Sequence, residues 1–221
     1  MSTAVLEPAV RPSVVHAPAR VFTAAEYLAI DSVAERRSEF IQGEIIEMAG
    51  ASRIHVRIVT NLVYELQNQL REKDCDVFSN DTRVRATGYY YPDVGVVCGD
   101  YLVDNLHLET LTNPAVLIEV LSDSTENVDR GIKLRHYRRL PSLRTYLLVT
   151  QDYPLVEQYE RDDENGSWRL VETEGLTGAV ELSAIGCRLP MEAIYRRVPL
   201  QSMEEVDARL SAEASAAEAR E

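Results

Sequence analysis

Three residues of this chain have the types and spacing to do chemistry together. Asp93 follows Pro92 at the head of the apolar run VGVVC. Glu119 is the single acid inside AVLIEVL, residues 115–121. Burying an unpaired carboxylate costs several kcal/mol, on the order of a whole domain's net stability. Acids placed in two core-seeking strands therefore need partners. If the two strands are neighbours in one sheet, their carboxylates meet at one end of it. Close carboxylates repel unless they share a proton or a cation. A hard cation such as Mg²⁺ prefers one or two carboxylates together with water and phosphate oxygens. Mg²⁺ or Mn²⁺ held there could activate water and stabilise charge growing on a phosphate. Lys133, on the segment that follows the second strand, would add a compact positive charge on a flexible stem.

The elements that must position these groups are legible from pattern. FTAAEYLAI opens a helix with Thr23 as cap and Glu26 three residues later, as in a capping box. SEFIQGEIIEM reads as a hairpin turning at Gln42-Gly43. Ile54, Ile58, Leu62, Leu66 and Leu70 recur every four residues, which predicts a long amphipathic helix. The stretch from Cys75 to Gly99 reads as two or three strands with a polar turn at Ser79 to Thr82. AVLIEVL is continuous and β-branched, as a strand covered on both faces would be. DRGIKLRHYRRL returns to helical spacing, and RTYLLVT is another strand. LVEQYER and WRLVETE flank a polar turn as a second hairpin. The expected organisation is a leader over residues 1–20, one mixed α/β domain over 21–198 and an acidic tail over 199–221.

Composition bounds the function. The chain has 221 residues, is 45% apolar and carries a formal charge of −13. Such a charge repels polyanions at long range, so a nucleic-acid role requires a local basic patch. One strongly positive stretch exists, from Arg130 through Lys133, Arg135, His136, Arg138 and Arg139 to Arg144. No apolar run is long enough for a membrane span. The first residues lack the basic start, apolar segment and cleavage site of a signal peptide. Cys75, Cys98 and Cys187 are odd in number and widely spaced, which predicts free thiols, a cytoplasmic location and no zinc site.

Each candidate has a plainer explanation. Asp93 is also a reasonable strand-entry turn residue. Glu119 could pair with a buried Arg, and Lys133 with Asp129 on one helix face. Glu39 competes with Glu35, Glu44 and Glu47. His55 is better read as capping or packing at a helix start than as a metal ligand. The three tyrosines at 89–91 could stack on bases or simply favour a strand. The basic stretch could be a solvated face.

Pro92-Asp93, Glu119 in IEVLSDST and the following DRGIKLRHY together resemble the Uma-type restriction endonucleases of the PD-(D/E)XK nuclease superfamily. SEFIQGEIIEM, His55 and TYLLV extend the resemblance over roughly residues 22–198. It implies a restriction-endonuclease-like mixed β-sheet flanked by helices, with extra β-hairpins. It also implies a Mg²⁺- or Mn²⁺-dependent endonuclease that hydrolyses DNA phosphodiester bonds. Asp93 and Glu119 would be metal ligands and catalytic, joined by the Val120 carbonyl and by Glu39. The triplet's third position is Leu121 rather than Lys, so Lys133 would take that catalytic role from the next helix. Arg130, Arg135 and Arg138 would face DNA, and a homodimer through the long helix or the tail is compatible. The alternative is a retired nuclease fold that binds DNA or protein without cutting.

Overall fold

The computed structural model describes residues 20–104, 110–162 and 164–202, with Glu205, Val206, Ala208, Ser211 and Ala212 beyond them. The expected leader through residue 19 and most of the expected tail lie outside the described residues.

Helix α1 (Ala24–Asp31) starts at the Thr23 capping box, with Thr23 and Glu26 satisfying each other's backbone N–H. Strands β1 (Ser38–Ile41) and β2 (Glu44–Glu47) form the first hairpin. Its two turn residues, Gln42 and Gly43, both have positive φ, 53° and 92°. A two-residue turn of that kind follows the right-handed twist of the strands. Helix α2 (Arg53–Leu70) is the long amphipathic helix, capped by Ser52. Strands β3 (Cys75–Ser79), β4 (Val84–Arg85), β5 (Tyr89–Tyr90) and β6 (Val94–Cys98) follow, then β7 (Val116–Val120). A helical crossover comes next: α3 (Glu126–Val128), a π-helical stretch (Asp129–Lys133) and α4 (Leu134–Tyr137). Strands β8 (Thr145–Val149), β9 (Leu155–Arg161), β10 (Trp168–Glu174), β11 (Ala179–Leu182) and β12 (Cys187–Pro190), and helix α5 (Met191–Ile194), complete the order.

The principal sheet has six strands in the order β10-β9-β8-β7-β6-β3. Only β7 and β8 run parallel in it, which is why a helical crossover joins them. A second sheet, β2-β1-β5-β4, and the β11–β12 ladder stand beside it. β7 is buried at all five positions, so both faces of the sheet are covered there. Val116, Ile118 and Val120 face the core shared with α2 and α5. Leu117 and Leu121 face the opposite core, which includes Tyr90, Tyr137 and Tyr146. Strand alternation puts Glu119 on the second face, under the crossover.

The strand pairing overturns one expectation. Cys75 and Cys98 are not free thiols: they oppose each other across β3 and β6, Cα atoms 4.0 Å apart, and form a disulfide. Residues 23 apart in sequence become neighbours only through the ladder. Cys187 is free and buried. Among the described residues no helix is long and apolar enough to cross a membrane.

Candidate active site

Asp93 immediately precedes β6, and Glu119 lies near the end of β7. The two strands are adjacent and antiparallel, with Val94 opposite Ile118. That register brings the acids together. Asp93 N–H donates to Glu119 Oε2 at 3.4 Å, and Val120 N–H donates to Asp93 Oδ2 at 2.8 Å. Glu119 is buried at 3% exposure, while the Asp93 side chain keeps 14%. The site therefore opens at Asp93 and is closed behind Glu119.

The crossover delivers the cation. Lys133 Nζ lies 3.1 Å from Glu119 Oε1, 3.0 Å from Glu39 Oε1 and 3.1 Å from Asp129 Oδ1. Asp129 and Lys133 begin and end the π-helical stretch, in which Leu134 N–H reaches back five residues to the Asp129 carbonyl. Such wide turns are rare and concentrate at functional sites. The same helical face carries Tyr137, whose hydroxyl donates to Glu119 Oε1 at 3.1 Å. Glu39 comes from β1 and accepts the Tyr91 N–H at 3.2 Å. Of the acids competing for its place, Glu35, Glu44 and Glu47 are all exposed.

His55 does what its place at a helix start suggests and one thing more. Its N–H donates to the Ser52 cap at 3.0 Å, while its Nε2 sits 3.1 Å from Asp93 Oδ2. Ser52 Oγ also reaches Gln151 Oε1 at 2.7 Å, and Gln151 Nε2 donates to the Leu121 carbonyl at 2.7 Å. The start of α2 is thereby tied to the ends of β7 and β8.

Electrostatically the cluster is lopsided. Three carboxylates surround one ammonium, and a fourth adjoins it. Burial pushes the Glu119 pKa well above the usual carboxylate range; Lys133 opposes this, while Asp129, Asp93 and Glu39 add to it. Burial also raises Asp129. Burial alone would lower the Lys133 pKa, but Glu119, Glu39 and Asp129 outweigh it and hold it well above the ordinary lysine value. Asp129 Oδ1 is buried without a hydrogen bond, with the Lys133 ammonium 3.1 Å away.

The donors suit a hard divalent cation: they are oxygens, they carry excess negative charge, and one buried oxygen lacks a hydrogen bond. They do not form a finished cage. Among the described residues no group of three or more His, Cys, Asp or Glu side chains is arranged to hold an ion.

Of the basic stretch, Arg130 is taken up by Glu126 and Glu157. His136 is buried against the Tyr90 hydroxyl. Arg135 and Arg138 are exposed, and the Arg138 guanidinium lies 5.7 Å from the centre of the Trp168 ring, which Arg161 also covers.

Sequence reasoning misses Asp129 and Tyr137 as members of the site. The signal is their spacing, four residues either side of Lys133. From the sequence Asp129 reads only as the partner of a surface lysine, whereas Lys133 is buried.

Two curated proteins of Synechocystis sp., sll1609 and slr1290, both described as uncharacterized, are similar to this chain. The first is 37% identical over 171 residues, covering 76% of this chain and 96% of its own. The second is 31% identical over 189 residues, covering 83% and 97%. A crystal structure from Anabaena variabilis, titled a "putative nuclease belonging to DUF820", shares the fold with a TM-score of 0.66. It is 17% identical, and the match covers 79% of this chain and 97% of that one. The Uma2 family, described as "Putative restriction endonuclease", matches residues 24–192. With that span taking in the β6–β7 acids, the first hairpin and the crossover lysine, the chain belongs to the Uma2 family.

Proposed function

We propose that this chain is a divalent-metal-dependent nuclease that hydrolyses phosphodiester bonds in DNA. The observation that carries the reading is the buried carboxylate cluster with too little positive charge, opening to solvent at Asp93. Asp93, Glu119, the Val120 carbonyl and Glu39 would hold Mg²⁺ or Mn²⁺. A bound ion supplies a Lewis acid for phosphate oxygens and lowers the pKa of a bound water.

The chain's own groups do the positioning. Val120 N–H and His55 fix the Asp93 carboxylate through the same oxygen, Oδ2. Tyr137 and Lys133 fix Glu119 through Oε1. Lys133 offsets part of the carboxylate charge, its buried ammonium standing within 3.1 Å of Glu39, Glu119 and Asp129. Water adds to phosphorus, the bond from phosphorus to the leaving ester oxygen breaks, and that oxygen leaves with a proton. Arg135 and Arg138, exposed on the crossover, are candidates for phosphate contacts beside the site. A DNA substrate goes with a cytoplasmic location, although the Cys75–Cys98 disulfide removes the free-thiol argument for it.

The lack of a finished cage favours one competing reading, a nuclease fold that has lost catalysis. Melting with and without Mn²⁺, together with plasmid cleavage, separates the two. The wild type should melt higher with Mn²⁺ and cut, and Glu119→Gln should do neither. A metal response that needs Glu119, without cutting on varied DNA, assigns the retired fold. No metal response in the wild type removes both readings and leaves Glu119 a structural acid.

A further inference from the structure

The arginines of this chain fall into two groups. Arg36, Arg85, Arg130, Arg169 and Arg188, among others, are held by carboxylates. Arg53 and Arg57, like Arg135 and Arg138 on the crossover, form no ion pair among the described residues, although both are exposed and the chain is strongly acidic. They stand four residues apart at the start of α2, so their side chains share one face. The first turn of α2 holds no acid, and the first acid on the helix is Glu65. The buried face of α2 runs through Ile58, Leu62, Leu66 and Leu70, which leaves the arginine face outward.

That face also carries a shallow, open hollow. A groove of about 390 Å³ is lined by Ser52, Arg53, Val56, Arg57 and Thr60. It shares Val56 and Thr60 with a second hollow of about 220 Å³, which reaches His55 and Asn80. His55 is in contact with Asp93 at the open side of the carboxylate cluster. The two hollows meet at Val56 and Thr60, so the arginine face is linked around the helix to the side that carries His55. Farther along the helix the exposed Tyr64 ring is covered by Arg196, 5.9 Å from its centre.

We infer that this face of α2 is the docking surface for the phosphate backbone of duplex DNA, with Arg53 and Arg57 each meeting a phosphate. The inference rests on the nuclease reading and gives that site a path for its substrate. It differs from the path expected along the crossover. Charge complementarity selects the occupant. A polyanion approaching a chain of net charge −13 needs cations that no carboxylate has claimed, and these two stand on the helix whose His55 reaches Asp93.

Removing one arginine that neutralises a phosphate should reduce the salt dependence of binding by about 0.9 in log K against log salt. Binding of a fluorescent duplex of about 20 base pairs, long enough to cover two turns of helix, would be measured on the full chain by anisotropy across salt concentrations. Ca²⁺ would replace Mg²⁺, so that the duplex is held rather than cut. Arg53→Ala with Arg57→Ala should lower the slope by about 1.8. Arg169→Ala with Arg188→Ala removes the same net charge from paired arginines and should leave the slope unchanged. An unchanged slope in the first variant, or an equal drop in both, overturns the surface. So does conversion of a wild-type dimer to monomer in sedimentation by the first variant alone, which would assign the face to a second copy of the chain. The nuclease reading is scored separately by the Mn²⁺ melting shift, which both arginine variants should retain. Absence of DNA binding in the wild type also overturns the surface, while absence of a Glu119-dependent melting shift overturns the reading beneath it.

Discussion

Two buried charge clusters lie within a few residues of each other along β1 and the segment before β6, and they are built on opposite principles. In one, Arg83 donates to Asp31 Oδ2 at 2.6 Å and to Thr110 at 2.9 Å. Tyr91 donates to the same Asp31 oxygen at 2.6 Å, and Ser38 N–H donates to Oδ1 at 3.3 Å. One acid meets one base, and the polar atoms around them are paired. In the other, Glu39, Glu119 and Asp129 crowd one Lys133, and an oxygen is left without a hydrogen bond. The first cluster is complete as folded and ties α1 to β1 and to Tyr91. The second carries charge beyond what folding requires. The neighbouring residues Ser38 and Glu39 belong to different clusters, so the balanced one holds the strand from which the unbalanced one takes an acid.

The largest effect should come from breaking the balanced cluster. Arg83→Ala strands a buried Asp31 and should cost about 3–5 kcal/mol in urea unfolding, with no recovery on adding Mn²⁺. Lys133→Ala should also be strongly destabilising without metal, since it leaves three carboxylates facing one another. Here Mn²⁺ should restore much of the stability, bind as tightly as before or tighter, and support little cleavage. If metal rescued Arg83→Ala as well as Lys133→Ala, the contrast between the clusters would collapse.

Next in size is the metal response of the wild type. At a free Mn²⁺ concentration about 100 times Kd, stability should rise by roughly 2.7 kcal/mol, read as a higher melting temperature. Glu119→Gln should lose that rise.

A pH series sharpens the comparison further. Glu119 and Asp129 have raised pKa values in the fold. Between the ordinary carboxylate pKa and those raised values the folded chain binds more protons than the unfolded one, so stability falls as pH rises through that window. The metal-free wild type should therefore gain stability as pH is lowered from neutral toward about 5, near the unfolded carboxylate values. Glu119→Gln should reduce that gain in urea unfolding at matched pH. The same slope in both proteins would place the titration elsewhere.

The smallest effect concerns the crossover surface. Charge reversal at Arg135 and Arg138 should leave stability within about 0.5 kcal/mol, because both are exposed. It should weaken DNA binding if DNA also touches the crossover. Unchanged binding would leave the α2 face to carry the duplex without it.

Much of the architecture is legible in the sequence because burial imposes periods on it. The four-residue recurrence through α2, the unbroken run of β7 and the Gln42-Gly43 turn each leave such a mark. The adjacency of Asp93 and Glu119 follows from two apolar runs seeking one sheet. The rest depends on registers and angles that have no local signature. A π-helical turn has no period of its own in so short a stretch, so Asp129 reads as a surface partner. The Cys75–Cys98 bridge exists only because β3 pairs with β6 in one register. Glu39 is separated from Glu35, Glu44 and Glu47 only by which one faces inward. The β11–β12 ladder goes unassigned, since its strands are short and open on one side.

Trp168 is the chain's single tryptophan, and it stands at the start of β10 beneath the guanidinium groups of Arg138 and Arg161. Its ring is half-buried, so its emission depends on those two cations and the water they admit. The chain thus carries one indole fluorophore at the crossover side and none on α2. A ligand that draws Arg138 off the ring announces itself optically. A ligand running along Arg53 and Arg57 is silent in the same channel, so unlabelled protein already distinguishes the two routes by colour and intensity alone.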